Sequence, residues 1–104
     1  MAAGVRKGPL PAAPVGVKAS DDSAECVRLR WLPCPGATGY EVWRAATERS
    51  EGATRLSETA IPSYEDGNLA VGQTGHYWIR AKNSYGISAF SERASGSRKR
   101  TLIS

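Results

Sequence analysis

The stretch CVRLRWL, Cys26 to Leu32, alternates strictly: Val27, Leu29 and Trp31 fall on one side, Arg28 and Arg30 on the other. A period of two with one apolar face marks a half-buried β-strand. Such a strand needs partners, and the rest of the chain offers them in short pieces. VGVKAS (Val15 to Ser20), YEVWRA (Tyr40 to Ala45), TRLSE around Leu56, SYED (Ser63 to Asp66), HYWIRAKN (His76 to Asn83) and AFSERAS (Ala89 to Ser95) all read as strands. Between them lie DDSAE, PCPGATG, ATERSEGA, DGNLAVGQTG and SYGIS, which carry turn residues. No helical pattern is long enough to pack, and no internal repeat is visible. Seven short strands with regular turns predict an all-β fold, a seven-stranded antiparallel sandwich.

The 104 residues suit a single domain. The spacing predicts a linker over residues 1–10, the domain over 11–96 and a basic tail or linker over 97–104. PLPAAP, with Pro9, Pro11 and Pro14, favours an extended linker or a first edge strand. The formal charge is +4 with a pI near 9.4. Much of the excess lies at the ends, in Arg6 and Lys7 and in Arg98, Lys99 and Arg100. Signs are mixed within the domain, and no basic run is interleaved with stacking aromatics, so no nucleic-acid partner is expected. No apolar run approaches the length of a membrane span. The N-terminal MAAGVRKGPLPAAP lacks the apolar core of a signal peptide, so export of a parent protein would need a signal outside these residues.

Cys26 and Cys34 stand eight positions apart in a largely extended stretch. At about 3.3 Å per residue that separation exceeds the reach of a disulfide. Two free thiols are expected. Two Cys and one His make no metal ligand set, and no cofactor is implied. His76, the sole histidine, lacks a neighbouring nucleophile motif, and a G-x-S-x-G elbow is absent. Asp21 and Asp22 do not have calcium-loop spacing. Nothing pairs Glu41, Glu65 or Asp66 as a glycosidase would. No catalytic residue is assigned, and an enzyme is not expected.

PVGVKAS, Trp31 in LRW, ATGYEVWRA, SYED and YWIRAKNSYGIS, in that order and spacing, resemble a fibronectin type III domain over roughly residues 11–96. The resemblance implies an immunoglobulin-like sandwich of fibronectin type III topology. The short loops and ATGYEVWRA are similar to bacterial versions attached to secreted enzymes and surface proteins. One departure stands out. The family carries a Leu and, six residues later, a Tyr whose hydroxyl bonds back to the chain. Leu69 fits, but Gly75 stands where the Tyr belongs, with Tyr77 two residues beyond. A looser corner is expected there.

Trp31, Tyr40, Tyr64, Leu69, Tyr77 and Ile79 read as core. The topology implied by the resemblance makes the third and sixth strands neighbours. Trp43 and Trp78 then share an exposed face, with Glu41 and Arg80 close by and His76 at its rim. These five are the candidate partner-binding face. Three readings of it stand open: cross-strand stabilisation, contact with a neighbouring domain or another protein, and stacking on a glycan. The implied function is a non-catalytic, monomeric module that spaces, orients or docks neighbouring domains of a larger secreted or surface protein. A ligand-binding module using the Trp43/Trp78 face and an intracellular scaffold domain are the alternatives.

Overall fold

The computed structural model describes residues 11–21 and 25–98. The expected linker over 1–10 and all of the expected tail beyond Arg98 lie outside the described residues. The strands are β1 (Lys18–Ala19), β2 (Val27–Arg30), β3 (Gly39–Ala45), β4 (Thr54–Thr59), β5 (Ser63–Asp66), β6 (Thr74–Asn83), β7 (Gly86–Ile87) and β8 (Ala94–Ser97). A 3-10 turn, Ser50–Gly52, precedes β4.

The strands form two antiparallel sheets packed as a sandwich. One has the order β1-β2-β5. In the other, β4-β3-β6, strand β6 pairs next with β7 and then with β8. The alternation in β2 sets its facing: Val27 and Leu29 are buried while Arg28 and Arg30 are exposed. Period-two alternation does the same in β3 and β6, whose Tyr40, Val42, Tyr77, Ile79 and Ala81 join Val27, Leu29, Trp31 and Leu69 in one core. Tyr64 packs against it, half-buried. Trp31 meets Tyr40 edge-on at 5.3 Å between ring centroids. The Tyr40 hydroxyl accepts the Cys34 N–H at 2.9 Å, which ties the β2–β3 loop to the core. Both cysteines are free, and burial pushes the Cys34 thiol up.

The sandwich closes on one side where β8 passes β1. A Cβ on Gly96 would sit 2.6 Å from the Ser20 carbonyl oxygen and 2.8 Å from Val27 Cγ1, so glycine lets the two sheets approach here. The Ser97 N–H donates to that same carbonyl at 3.1 Å.

The corner after β5 differs from the expected loose one. Tyr77 is fully buried, and its hydroxyl donates to Asp66 Oδ2 at 2.7 Å. Arg44 Nη1 donates to the same oxygen at 2.7 Å, and the Asn68 N–H donates to Oδ1 at 3.0 Å. Burial pushes the Asp66 carboxyl up, but the hydrogen bonds from Tyr77, Arg44 and Asn68 outweigh it and hold the group below the usual aspartate range. The Tyr77 hydroxyl is held far above its ordinary value, first by burial and then by its bond to Asp66. The tyrosine two residues late therefore closes the corner, on a carboxylate.

Two strand expectations change. Of the expected first strand only Lys18–Ala19 forms β1; the chain turns ahead of it at Gly16 with φ 70°, and the Ser20 N–H beyond it donates to Arg28 O at 3.0 Å. Val15 still accepts the Leu32 N–H at 3.0 Å. The last strand, expected over Ala89 to Ser95, is divided. β7 lies within the expected SYGIS turn, and β8 begins only at Ala94. Between them, residues 88–93 span only residues 78–81 of β6.

Candidate functional site

The break between β7 and β8 shapes the outer face of the larger sheet. At its two ends serine hydroxyls take over the work of backbone carbonyls. The Ser88 N–H donates to Ala81 O at 2.8 Å, and its hydroxyl accepts the Ala81 N–H at 2.9 Å. Ser91 does the same to Ile79, at 2.8 and 2.9 Å. Both serines are buried. The ladder of β6 is thus satisfied while the chain between the serines leaves the sheet. That excursion carries Phe90 over the outer face.

Trp43 and Trp78 are directly opposite in the β3–β6 register, and so are Glu41 and Arg80. Phe90 meets Trp43 edge-on at 5.4 Å and Trp78 at 6.3 Å with a tilt of 54°. The Arg80 guanidinium lies over Phe90 at 4.9 Å and over Trp43 at 5.9 Å. Its Nε donates to the Ser88 carbonyl at 2.9 Å, which fixes the guanidinium plane to the excursion. Three rings and one cation form a second, smaller cluster on the outside of the sheet.

The carboxylate beside it is equally committed. Glu41 Oε1 accepts the Trp43 indole N–H at 3.0 Å, and Oε2 faces Arg55 Nη1 at 3.3 Å. Arg55 also reaches Glu58 at 3.2 Å, and Glu58 accepts Lys82 at 2.8 Å. The bond from Lys82, and then its charge, hold the Glu58 carboxyl below the usual range.

The structure brings Glu41, Trp43, Trp78 and Arg80 together as expected, but it does not leave them open. Trp78 is 5% exposed and Glu41 4%. The expectation of an exposed Trp78 is corrected: Phe90 covers it. Trp43 and Arg80 are half-buried. His76 lies apart from the cluster, with Nδ1 2.8 Å from Ser95 Oγ across β8. Phe90, Ser88 and Ser91 belong to the face and were not among its expected residues. Nor were Arg44 and Asp66 expected as partners of Tyr77.

An open groove of about 690 Å³ lies elsewhere, beside Arg44, Leu56, Leu69, Gln73 and His76. Its cation, Arg44, is already neutralised by Asp66. Among the described residues no cluster of three His, Cys, Asp or Glu side chains could hold a metal ion. No helix among them is long and apolar enough to cross a membrane.

No family model matches the chain, and no curated protein matches it in sequence. Its architecture does match solved structures. A Fn3-like protein from Clostridium thermocellum is 26% identical, with a TM-score of 0.77 over 90% of this chain and 98% of that one. FN3tt is 26% identical, with a TM-score of 0.74 over 88% of this chain and 99% of that one. This is a fibronectin type III fold. A stretch of titin domains is 30% identical with a TM-score of 0.73, over 86% of this chain and 32% of the titin chain. There the fibronectin type III fold is one part of a larger polypeptide. In that topology the outer face described above belongs to the sheet that holds the third and sixth strands, as the sequence resemblance implied.

Proposed function

We propose that this fibronectin type III domain is a non-catalytic module that spaces and orients neighbouring domains in a larger chain. One observation carries the reading. The face best supplied with aromatic and charged side chains is closed on itself by Phe90 and Arg80. Its carboxylates and cations already have partners in the same chain. Aromatic and cation–aromatic contacts of this kind stiffen a sheet without any ligand. Rigidity is what a spacer needs, because a stiff module fixes the separation and angle of what it joins. Chains such as the titin fragment, which hold this fold beside other domains, support that setting.

The test joins two reporter domains through this module and measures energy transfer between them. A fixed efficiency is expected, unchanged by added polysaccharides and retained when another fibronectin type III domain of equal length replaces the module. Saturable shifts of the Trp43 and Trp78 indole resonances on adding a polysaccharide would favour the ligand-binding alternative instead.

A further inference from the structure

The smaller sheet has an outer face of its own, and it is the more open of the two. Along β2 that face shows Arg28, Arg30 and then Leu32. Arg28 stands opposite Glu65 of β5, and Arg30 stands opposite Lys18 of β1. The pairing continues past the strand ends: the Trp31 N–H donates to Pro62 O and the Leu32 N–H to Val15 O. Leu32 thus lies beside Ile61 on one flank and Val15 on the other. All three are exposed, at 58%, 59% and 63%.

Folding does not account for this arrangement. Two cations directly opposite on neighbouring strands repel. Neither Lys18 nor Arg30 has a carboxylate partner among the described residues, and Arg28 holds Glu65 only at 3.5 Å with both side chains largely exposed. An edge lysine can serve to discourage strand pairing, but that does not explain an apolar row next to it. A shallow hollow runs between Lys18, Arg28 and Arg30.

We propose that this face docks an extended acidic–apolar segment of a partner polypeptide. Side chains on one face of an extended peptide repeat about every 6.8 Å, the same step that separates Arg28, Arg30 and Leu32. Carboxylates at two successive such positions meet Arg28 and then the Lys18–Arg30 pair. An apolar side chain at the third covers Leu32 and Ile61. A polysaccharide would satisfy the cations and leave the apolar row in water.

The experiment is an amide NMR titration of the 104-residue chain with a synthetic extended peptide. The peptide carries Glu at two alternate positions and Leu at the next. Saturable shifts are expected at Lys18, Arg28, Arg30, Leu32 and Ile61, weakening several-fold on raising salt from about 50 to 500 mM. Lys18→Glu with Arg30→Glu, and separately Leu32→Ser, should each weaken binding about tenfold or more while the spectrum stays dispersed. Lys18→Glu alone should leave the midpoint of unfolding unchanged or higher, because it removes a like-charge contact. Absence of shifts with the peptide would overturn the proposal. So would binding indifferent to Leu32→Ser, or tighter binding to a sulfated polysaccharide or to phosphatidylserine vesicles than to the peptide.

Discussion

The ring of Tyr77 lies over the backbone of Gly75, so close that a Cβ on Gly75 would sit 2.8 Å from the phenolic oxygen and 2.9 Å from Cζ. The glycine that displaces the family's corner tyrosine is therefore the residue that makes room for the later one. The hydroxyl then reaches Asp66, and Arg44 neutralises the carboxylate from the other side.

Gly75→Ala should be destabilising although Gly75 is not held at positive φ. The ring it would strike is fixed by its hydrogen bond and fully buried, so it cannot swing aside. Overpacking of this kind costs about 1–3 kcal/mol. Urea unfolding of the variant measures it, and Gly75→Ala should cost less in a Tyr77→Phe background, where the 2.8 Å contact with the phenolic oxygen is gone.

Stability should fall at both ends of the pH range through the same cluster. The Asp66 carboxyl titrates lower in the folded chain than in the unfolded one. Its contribution is therefore complete above the ordinary aspartate value of about 3.9 and disappears as pH falls through the folded value. The Tyr77 hydroxyl titrates higher in the folded chain. Its contribution is complete below about pH 10 and is lost as pH rises beyond that. Unfolding midpoints measured from pH 2 to pH 11 should show both losses. Tyr77→Phe should flatten the alkaline one, and Asp66→Asn should flatten much of the acid one at a substantial cost near neutrality.

The serine pair makes a sharper test of the broken last strand. Ser88→Ala leaves the buried Ala81 N–H without its acceptor, and Ser91→Ala does the same to Ile79. An orphaned buried donor costs about 1–3 kcal/mol. Hydrogen exchange at Ala81 and Ile79 should accelerate selectively in the matching variant. Ser88→Thr keeps a hydroxyl and should restore part of the protection.

Strand positions, the core aromatics and the sandwich were legible because burial follows a period of two, as Val27, Leu29, Tyr77 and Ile79 all show. The same parity also aimed Arg44 and Asp66 inward, since each lies two steps from an inward residue of its own strand, Val42 and Tyr64. Their polarity hid the signal: a charged residue at an inward position reads as an exception until its partner from another strand is known. The closure of the outer face was less accessible. Phe90 reaches Trp43 only because two serines release the chain from the ladder, and a hydroxyl standing in for a carbonyl leaves no mark in hydrophobic periodicity. The exposed reading of Trp78 failed for that reason.

The outer aromatics act on one another. A double-mutant cycle on Trp43 and Phe90 tests this most directly, with unfolding free energies of Trp43→Ala, Phe90→Ala and the double variant. Edge-on aromatic pairs couple by about 0.5–1.5 kcal/mol, and a favourable coupling in that range is the expected result. A coupling indistinguishable from zero would mean that the rings do not support each other, and the self-closed face would give way to one held open for a partner.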